Sequence, residues 1–337
     1  MHAEDRISSY LIGMILRRLR YETVVLVAMM LVSALPCVHG EPAPLERHVL
    51  AEDNLDLLGR MRITAVDDEQ TLLDVARQQG IGQEEILNAN PAVDRWLPTP
   101  GSTVIIFGRR LLPEVEQTGI VINLPEFRLY YFPKPANASD PREVITAPIS
   151  VGRMDWKTPI GQTRIVARQK DPAWIPPESI RAEHEADGDI LPRVVPPGPG
   201  NPLGGYALRL GIPGYLIHGT DKLFGVGMQV THGCMRLLPE HIEALFQLVS
   251  VGTPVRLMNE PIKLGWGVDG LYLEAHPPLE EDIRPFELEI AETLAKVRLR
   301  LADRPDLALD ESLVATTVIE KSGLPQRITR VERDPLQ

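Results

Sequence analysis

The chain has 337 residues, which leaves room for two domains and their tails at roughly 100–200 residues per domain. With 44% hydrophobic and 24% charged residues it has the composition of a globular protein, which excludes a disordered or polytopic membrane chain. A formal charge of −11 counts against a nucleic-acid partner, because phosphate neutralisation needs a basic face.

Arg17, Arg18 and Arg20 precede an apolar run from Val24 to Leu35, too short to span a bilayer comfortably. Val38-His39-Gly40 then offers the small-x-small pattern of a signal-peptidase site. Residues 1–40 therefore read as a signal peptide cleaved after Gly40, with an uncleaved anchor or a buried helix as the alternative. Pro36 stands where a lipidation motif before Cys37 needs a small residue, so lipidation is not expected. The chain has two cysteines, and cleavage removes Cys37. Cys234 is then a single thiol in an oxidising compartment, where it is either reactive by function or buried and inert.

Residues 41–60 suggest a lead-in or one outer strand. Met61 to Val66 alternates like a strand, Glu69 to Ala76 shifts to helical spacing closed by Gly80, and Glu84 to Ala89 makes a second helix ended by Asn90-Pro91. Thr103 to Phe107 is the return strand after the Pro100-Gly101 turn. Residues 60–108 thus form a β-α-α-β module. Gly119–Asn123 and Phe127–Phe132 flank a turn at Leu124-Pro125-Glu126, which predicts a hairpin. Val144–Gly152, Gln162–Ala167, Tyr206–Leu210, Tyr215–His218 and Thr253–Met258 continue as strands, with a helix over Pro239–Val249. Asp171–Pro202 reads as a long Pro- and Gly-rich loop, a length that points to function or disorder. In the tail, Phe286, Ile290, Leu294, Val297 and Leu301 form one helical stripe suited to docking on the body, and Asp310–Lys321 predicts a second helix.

The chemistry gathers around two short elements. Ile217-His218-Gly219-Thr220 ends a strand, and Thr231-His232-Gly233-Cys234-Met235-Arg236 follows a glycine-dotted connector. A thiol becomes a strong nucleophile once an imidazole takes its proton. Gly233 allows backbone to approach closely, so the amides of Gly233 and Cys234 are oxyanion-hole candidates. Arg236 adds positive charge for substrate or for the turn. His218, His232, Cys234 and His241 fit no standard zinc spacing, so no metal or other cofactor is expected.

At these residues the chain resembles the catalytic domain of the YkuD-type L,D-transpeptidases, and within them the ErfK/YbiS-like group. The His-Gly-Thr and Thr-His-Gly-Cys-x-Arg elements match the family pattern, with sixteen positions from His218 to Cys234. Val151-Gly152 with Trp156-Lys157-Thr158-Pro159-Ile160-Gly161 is a second matching element, and Gly198-Pro199-Gly200-Asn201-Pro202-Leu203-Gly204 a third. The 60–108 module resembles a LysM carbohydrate-binding module through Thr71-Leu72, Asn88 to Pro91 and Gly101, although Glu69-Gln70 replaces the usual Gly-Asp.

The resemblance implies an α+β, mostly β fold: a LysM-like module at 60–108, a catalytic domain at 117–259 and a partly helical C-terminal extension at 260–337. It implies periplasmic action on peptidoglycan stem peptides, with D-alanine released and the acyl group passed from Cys234 to an amine. That amine would belong to a neighbouring diaminopimelate or to an outer-membrane lipoprotein. His218 is the implied general base. Gly219 is a candidate to orient His232 through its carbonyl, with His232 otherwise bracing the loop. Thr231 and Trp174 are candidate substrate contacts, Trp174 on a lid formed by residues 171–202. A binding-only wall protein and a hydrolase using the same site remain as alternatives.

Overall fold

The computed structural model describes residues 43–50, 55–106, 108–137 and 139–331, so the signal-peptide reading of residues 1–40 lies outside the described residues. Among them no helix is long and apolar enough to cross a membrane.

The chain opens with β1 (Glu46–Val49) and the short β2 (Leu57–Leu58). The predicted strand–helix–helix–strand order follows as β3 (Arg62–Ala65), α1 (Leu72–Gln79), α2 (Gln83–Ala89) and β4 (Thr103–Ile106), with β3 and β4 antiparallel. Thr71 starts α1 because its hydroxyl accepts the Asp74 amide while the Asp74 carboxylate accepts the Thr71 amide, satisfying two backbone donors at the helix start. Asn90 locks α2 to β4 by donating to the carbonyls of Ile86 and Ile105 and accepting the Ile105 amide. The module has its own core of Val66, Leu72, Val75, Ala76, Ile81, Ile86, Val104 and Ile106.

After β5 (Arg110–Leu111) the chain builds the central sheet from β6 (Gly119–Asn123), β7 (Arg128–Phe132), β8 (Glu143–Pro148), β10 (Gly161–Lys170), β11 (Tyr206–Leu210), β12 (Leu216–His218), β14 (Met235–Arg236) and β15 (Pro254–Met258). The nine strands run in the order β1-β8-β7-β6-β15-β10-β11-β12-β14. Two short strands, β9 (Val151–Gly152) and β13 (Gln229–Thr231), pair in parallel beside this sheet. The predicted hairpin is β6–β7, and the predicted run Val144–Gly152 is divided into β8 and β9.

Both faces of the central strands are covered, which is why β6 and β7 are buried throughout rather than alternating. Ile120, Ile122 and Leu129 enter the main core with Ile217, Met235 and two residues of α4 (Pro239–Leu248), Ile242 and Leu245. Val121, Tyr130 and Phe132 face the opposite side with Leu58, Leu112 and Met258.

The segment read as a loop over Asp171–Pro202 contains a helix, α3 (Glu178–Ala186). Its polar sequence buries only Ile180, so it lacks the apolar stripe by which helices are recognised. The tail also departs from the expectation, because it begins with a β-hairpin, β16 (Ile262–Gly267) and β17 (Gly270–Ala275). Helix α5 (Phe286–Arg300), strand β18 (Leu307–Leu309), helix α6 (Glu311–Glu320) and strands β19 (Gln326–Arg327) and β20 (Thr329–Val331) complete it. Val297, Val314, Val318 and Ile328 pack on Leu271 and Leu273 of β17, while Phe286 lies exposed, off the stripe assigned to it.

Buried charge joins these parts. Glu85 of α2 binds Arg110 at 3.0 Å and the fully buried Arg128 of β7 at 2.6 Å, and Glu46 of β1 also binds Arg110. Lys263 of β16 lies 2.9 Å from Glu126 and 2.6 Å from Glu274, and its ammonium donates to the Leu111 carbonyl. Glu126, Glu274 and His276 bring ligand atoms within 4.8 Å of one another, and the cation between the two carboxylates is Lys263 itself.

Burial opposes ionisation of Glu126 and Glu274, but Lys263 and the hydrogen bonds around them hold both carboxyls below the ordinary value of 4.5. Their contribution to stability is complete above that value and is lost as the pH falls below it. Lys263→Met is expected to cost about 3–5 kcal/mol at neutral pH in urea denaturation, since it strands two buried carboxylates. The penalty should shrink at acid pH, where protonation neutralises them. A loss below about 1 kcal/mol would show that the cluster does not depend on its cation.

Candidate active site

Strands β12 and β14 run parallel with Ile217 opposite Met235 and His218 opposite Arg236. Cys234 directly precedes β14, so the turn that carries it lies beside the strand that ends in His218. The register makes His218 and Arg236 neighbours across the two strands.

His218 is 4% exposed, and its Nδ1–H donates to the Gly219 carbonyl at 2.7 Å. The nearby Leu203 carbonyl also acts to raise the pKa of the ring, less than burial lowers it. Gly204 makes this closeness possible, because a Cβ there would come within 3.1 Å of the Gly219 backbone. Burial, reinforced by the Arg236 charge, lowers the His218 pKa to about 3. Burial likewise raises the Cys234 thiol above its ordinary value of 9.0, against the lowering effects of the Leu216 amide and Arg236. The thiol retains some surface, and its sulfur contacts the Gly214 carbonyl at 3.6 Å. The resting pair is thus a neutral thiol and a neutral imidazole. Arg236 directs a buried Nε–H without a hydrogen-bond partner among the described residues.

The turn before Cys234 is fixed by two threonines. Thr231 is fully buried; its hydroxyl donates to the Cys234 carbonyl at 2.6 Å and accepts the Gly233 amide at 3.2 Å. Thr158 accepts the Gly152 amide and donates to the Gly233 carbonyl, both at 2.9 Å. Gly233 has φ +98°, a conformation that side chains rarely adopt, and a Cβ there would meet the Tyr215 ring at 2.9 Å.

Three assignments change accordingly. Thr231, expected as a substrate contact, is enclosed in the turn and braces it. The Gly233 amide is consumed by Thr231, leaving the Cys234 amide as the backbone oxyanion candidate. The Gly219 carbonyl orients His218, not His232, whose Nε2 lies 3.0 Å from Glu183 of α3. Trp174 pairs with Val195 through two backbone hydrogen bonds, and it is Glu183 through which the 171–202 segment reaches the turn. His241 is engaged elsewhere: its Nε2 faces the Ala43 carbonyl at 3.0 Å.

Thr158 as the brace, Arg153 and Glu183 are residues that the sequence alone does not single out. Thr158 lies in a motif whose match to the family assigns it no role. Glu183 carries no local signal, since its partners are 30 and 49 residues away.

A family profile for the L,D-transpeptidase catalytic domain, YkuD, matches residues 117–257. A probable L,D-transpeptidase, YbiS of Escherichia coli K12, is 39% identical over 285 residues, covering 83% of this chain and 90% of its own. The chain belongs to the L,D-transpeptidase family. Probable L,D-transpeptidase ErfK/SrfK of Salmonella typhimurium is 37% identical, covering 78% of this chain and 84% of its own. Among solved structures, the NMR catalytic domain of the E. faecium L,D-transpeptidase is 20% identical, with a TM-score of 0.32, over 43% of this chain and 100% of that one.

The transpeptidase should therefore show two properties. Alkylation of Cys234 by iodoacetamide should rise with an inflection above pH 9; a plateau already reached at acid pH would instead reveal a preformed thiolate–imidazolium pair. Thr158→Val, which keeps the side-chain shape but leaves the Gly152 amide and Gly233 carbonyl unpaired, should cost about 1–3 kcal/mol by thermal or chemical denaturation. Its alkylation rate should also change, because the turn carrying Cys234 loses its brace.

Proposed function

We propose that this L,D-transpeptidase acts through Cys234 as nucleophile and His218 as general base. The observation that supports the reading is the pairing of β12, which ends in His218, with β14, which starts directly after Cys234. His218 takes the thiol proton as sulfur attacks the carbonyl of the third, diaminopimelate residue of a peptidoglycan tetrapeptide stem. Because the resting pair is neutral, this proton moves during the attack. The developing oxyanion is met by the Cys234 amide, and Arg236 supplies positive charge beside it. The peptide C–N bond breaks, His218 returns the proton to the departing D-alanine amine, and a thioester to Cys234 remains.

An amine then attacks the thioester carbonyl, restoring an amide without an external energy source. A neighbouring diaminopimelate would give a 3–3 cross-link, and a lipoprotein C-terminal lysine would give attachment of that protein. The 171–202 segment is read as a lid that limits access of water to the thioester. The 60–108 module is read as the wall-binding part, consistent with the exposed Trp96 and Leu97 between α2 and β4. The reading places the mature enzyme in the periplasm.

Purified residues 41–337 incubated with disaccharide-tetrapeptide should release D-alanine and yield a tripeptide–tetrapeptide dimer by mass spectrometry. Cys234→Ala should do neither, and His218→Ala should lower D-alanine release at least about 100-fold, the lower range for a lost general base. Free tripeptide without dimer would identify a hydrolase or the need for a protein acceptor. An intact enzyme that forms no acyl-enzyme would move the function to wall binding.

A further inference from the structure

The 171–202 segment is closed at its base and lightly held beyond it. The buried Asn201 amide donates to the carbonyls of Pro172 and Pro196, the Asp171 amide donates to Gly205, and Trp174 pairs with Val195. Helix α3 lies past this clamp and buries only Ile180, so little apolar contact fixes it.

A single carboxylate reaches from α3 to the nucleophile turn. One oxygen of Glu183 pairs with Arg153, and the other lies 3.0 Å from His232 Nε2, two residues before Cys234. The Arg153 amide donates to the Thr231 carbonyl at 2.9 Å, so Thr231, Arg153, Glu183 and His232 form a closed ring of contacts. The Trp156 ring meets His232 edge-on at 5.3 Å and limits its rotation. Both partners of the Arg153–Glu183 pair keep about a third of their side-chain surface, at 34% and 32%, so the ring sits at the lid margin rather than in the core.

Burial lowers the His232 pKa, so the ring is neutral at physiological pH and its Nε2–H donates to the carboxylate. The neutral ring then carries its lone pair on Nδ1. Both ends of Glu183 are thus committed, one to the residue that follows β9 and one to the turn that presents the nucleophile.

We propose that Glu183 is a positioning residue for the transfer half-reaction: it latches α3 over the Cys234 thioester and holds His232 in one tautomer, so that an amine rather than water resolves the acyl-enzyme. The proposal rests on the reading of Cys234 as the acylated residue. In this half-reaction the amine nitrogen forms a bond to the thioester carbonyl carbon and the C–S bond breaks. The amine gives up one proton, which His218 passes to the departing sulfur to regenerate the thiol. Water attacking the same carbon differs only in delivering oxygen. Selection between them therefore depends on what reaches the thioester, which is the property a latched lid controls.

The test is the partition of the acyl-enzyme in the full mature chain. Disaccharide-tetrapeptide serves as donor, with either a second tetrapeptide or Nα-acetyl-lysine amide as the amine, and mass spectrometry gives the ratio of amide product to free tripeptide. Glu183→Ala is expected to lower this ratio about tenfold, the effect of losing one charge-assisted hydrogen bond. Glu183→Gln, which keeps an acceptor oxygen for His232, should recover it to within about threefold. Because Glu183 acts through His232, the Glu183→Ala, His232→Ala double variant should be no worse than the more impaired single variant. Thermal melts verify that each variant is folded, and Glu183→Gln decides the question if the alanine variant is not. A folded Glu183→Ala enzyme with the wild-type ratio, or single-variant effects that add in the double variant, would overturn the latch. A wild-type enzyme that acylates but only hydrolyses with both amines would overturn it too. A wild-type enzyme that never acylates Cys234 removes the functional reading itself.

Discussion

The Thr158 hydroxyl accepts the Gly152 amide and donates to the Gly233 carbonyl, joining two stretches of chain that are 75 residues apart across the second bond. Gly233 occupies a backbone conformation that costs most residues energy, and it immediately precedes Cys234, the proposed nucleophile. Such a turn persists only where its surroundings determine it. Thr158 supplies that from one side and Thr231 from the other, by holding the Gly233 amide and the Cys234 carbonyl. The course of the backbone into Cys234 follows from this bracing.

The electrostatics of the site follow from burial rather than from charge pairing. His218 is held by backbone carbonyls, so among the described residues no carboxylate favours its protonated form, and Arg236 opposes it. Cys234 is correspondingly kept as a thiol. On the proposed mechanism, a neutral thiol and imidazole suit a partly exposed cysteine, because the sulfur ionises only as it attacks. Strong charge pairs lie elsewhere, in the Glu85–Arg128 and Lys263–Glu274 clusters that join the N-terminal module and C-terminal hairpin to the sheet.

Much of this is readable from the residues. The strands of the central sheet are legible because short apolar runs are bounded by Gly and Pro. Cys234 and His218 stand out because a single thiol near two His-Gly elements matches nucleophilic chemistry and no zinc spacing. Thr231, Gly233 and Gly219 make contacts other than those expected for a common reason. Hydroxyl and amide groups near a nucleophile look alike in sequence whether they face substrate or are consumed inside the turn. Helix α3 escapes notice because Glu178, Arg181, Glu183, His184 and Glu185 make a pattern of surface charge, and periodicity detects only a buried apolar face.

The β16–β17 hairpin places Lys263 and Glu274 against Leu111, more than 150 residues earlier in the chain. Strand β15 likewise inserts between β6 and β10 in the middle of the sheet. Pairings of such sequence separation form late, since loop closure precedes any gain from them. A growing chain therefore has its local pairs β3–β4 and β6–β7 early, but lacks the partners of Leu111 until residue 274 has emerged. The centre of the sheet is completed from its C-terminal side, whereas Glu85 and Arg128 can join the first module to β7 before that.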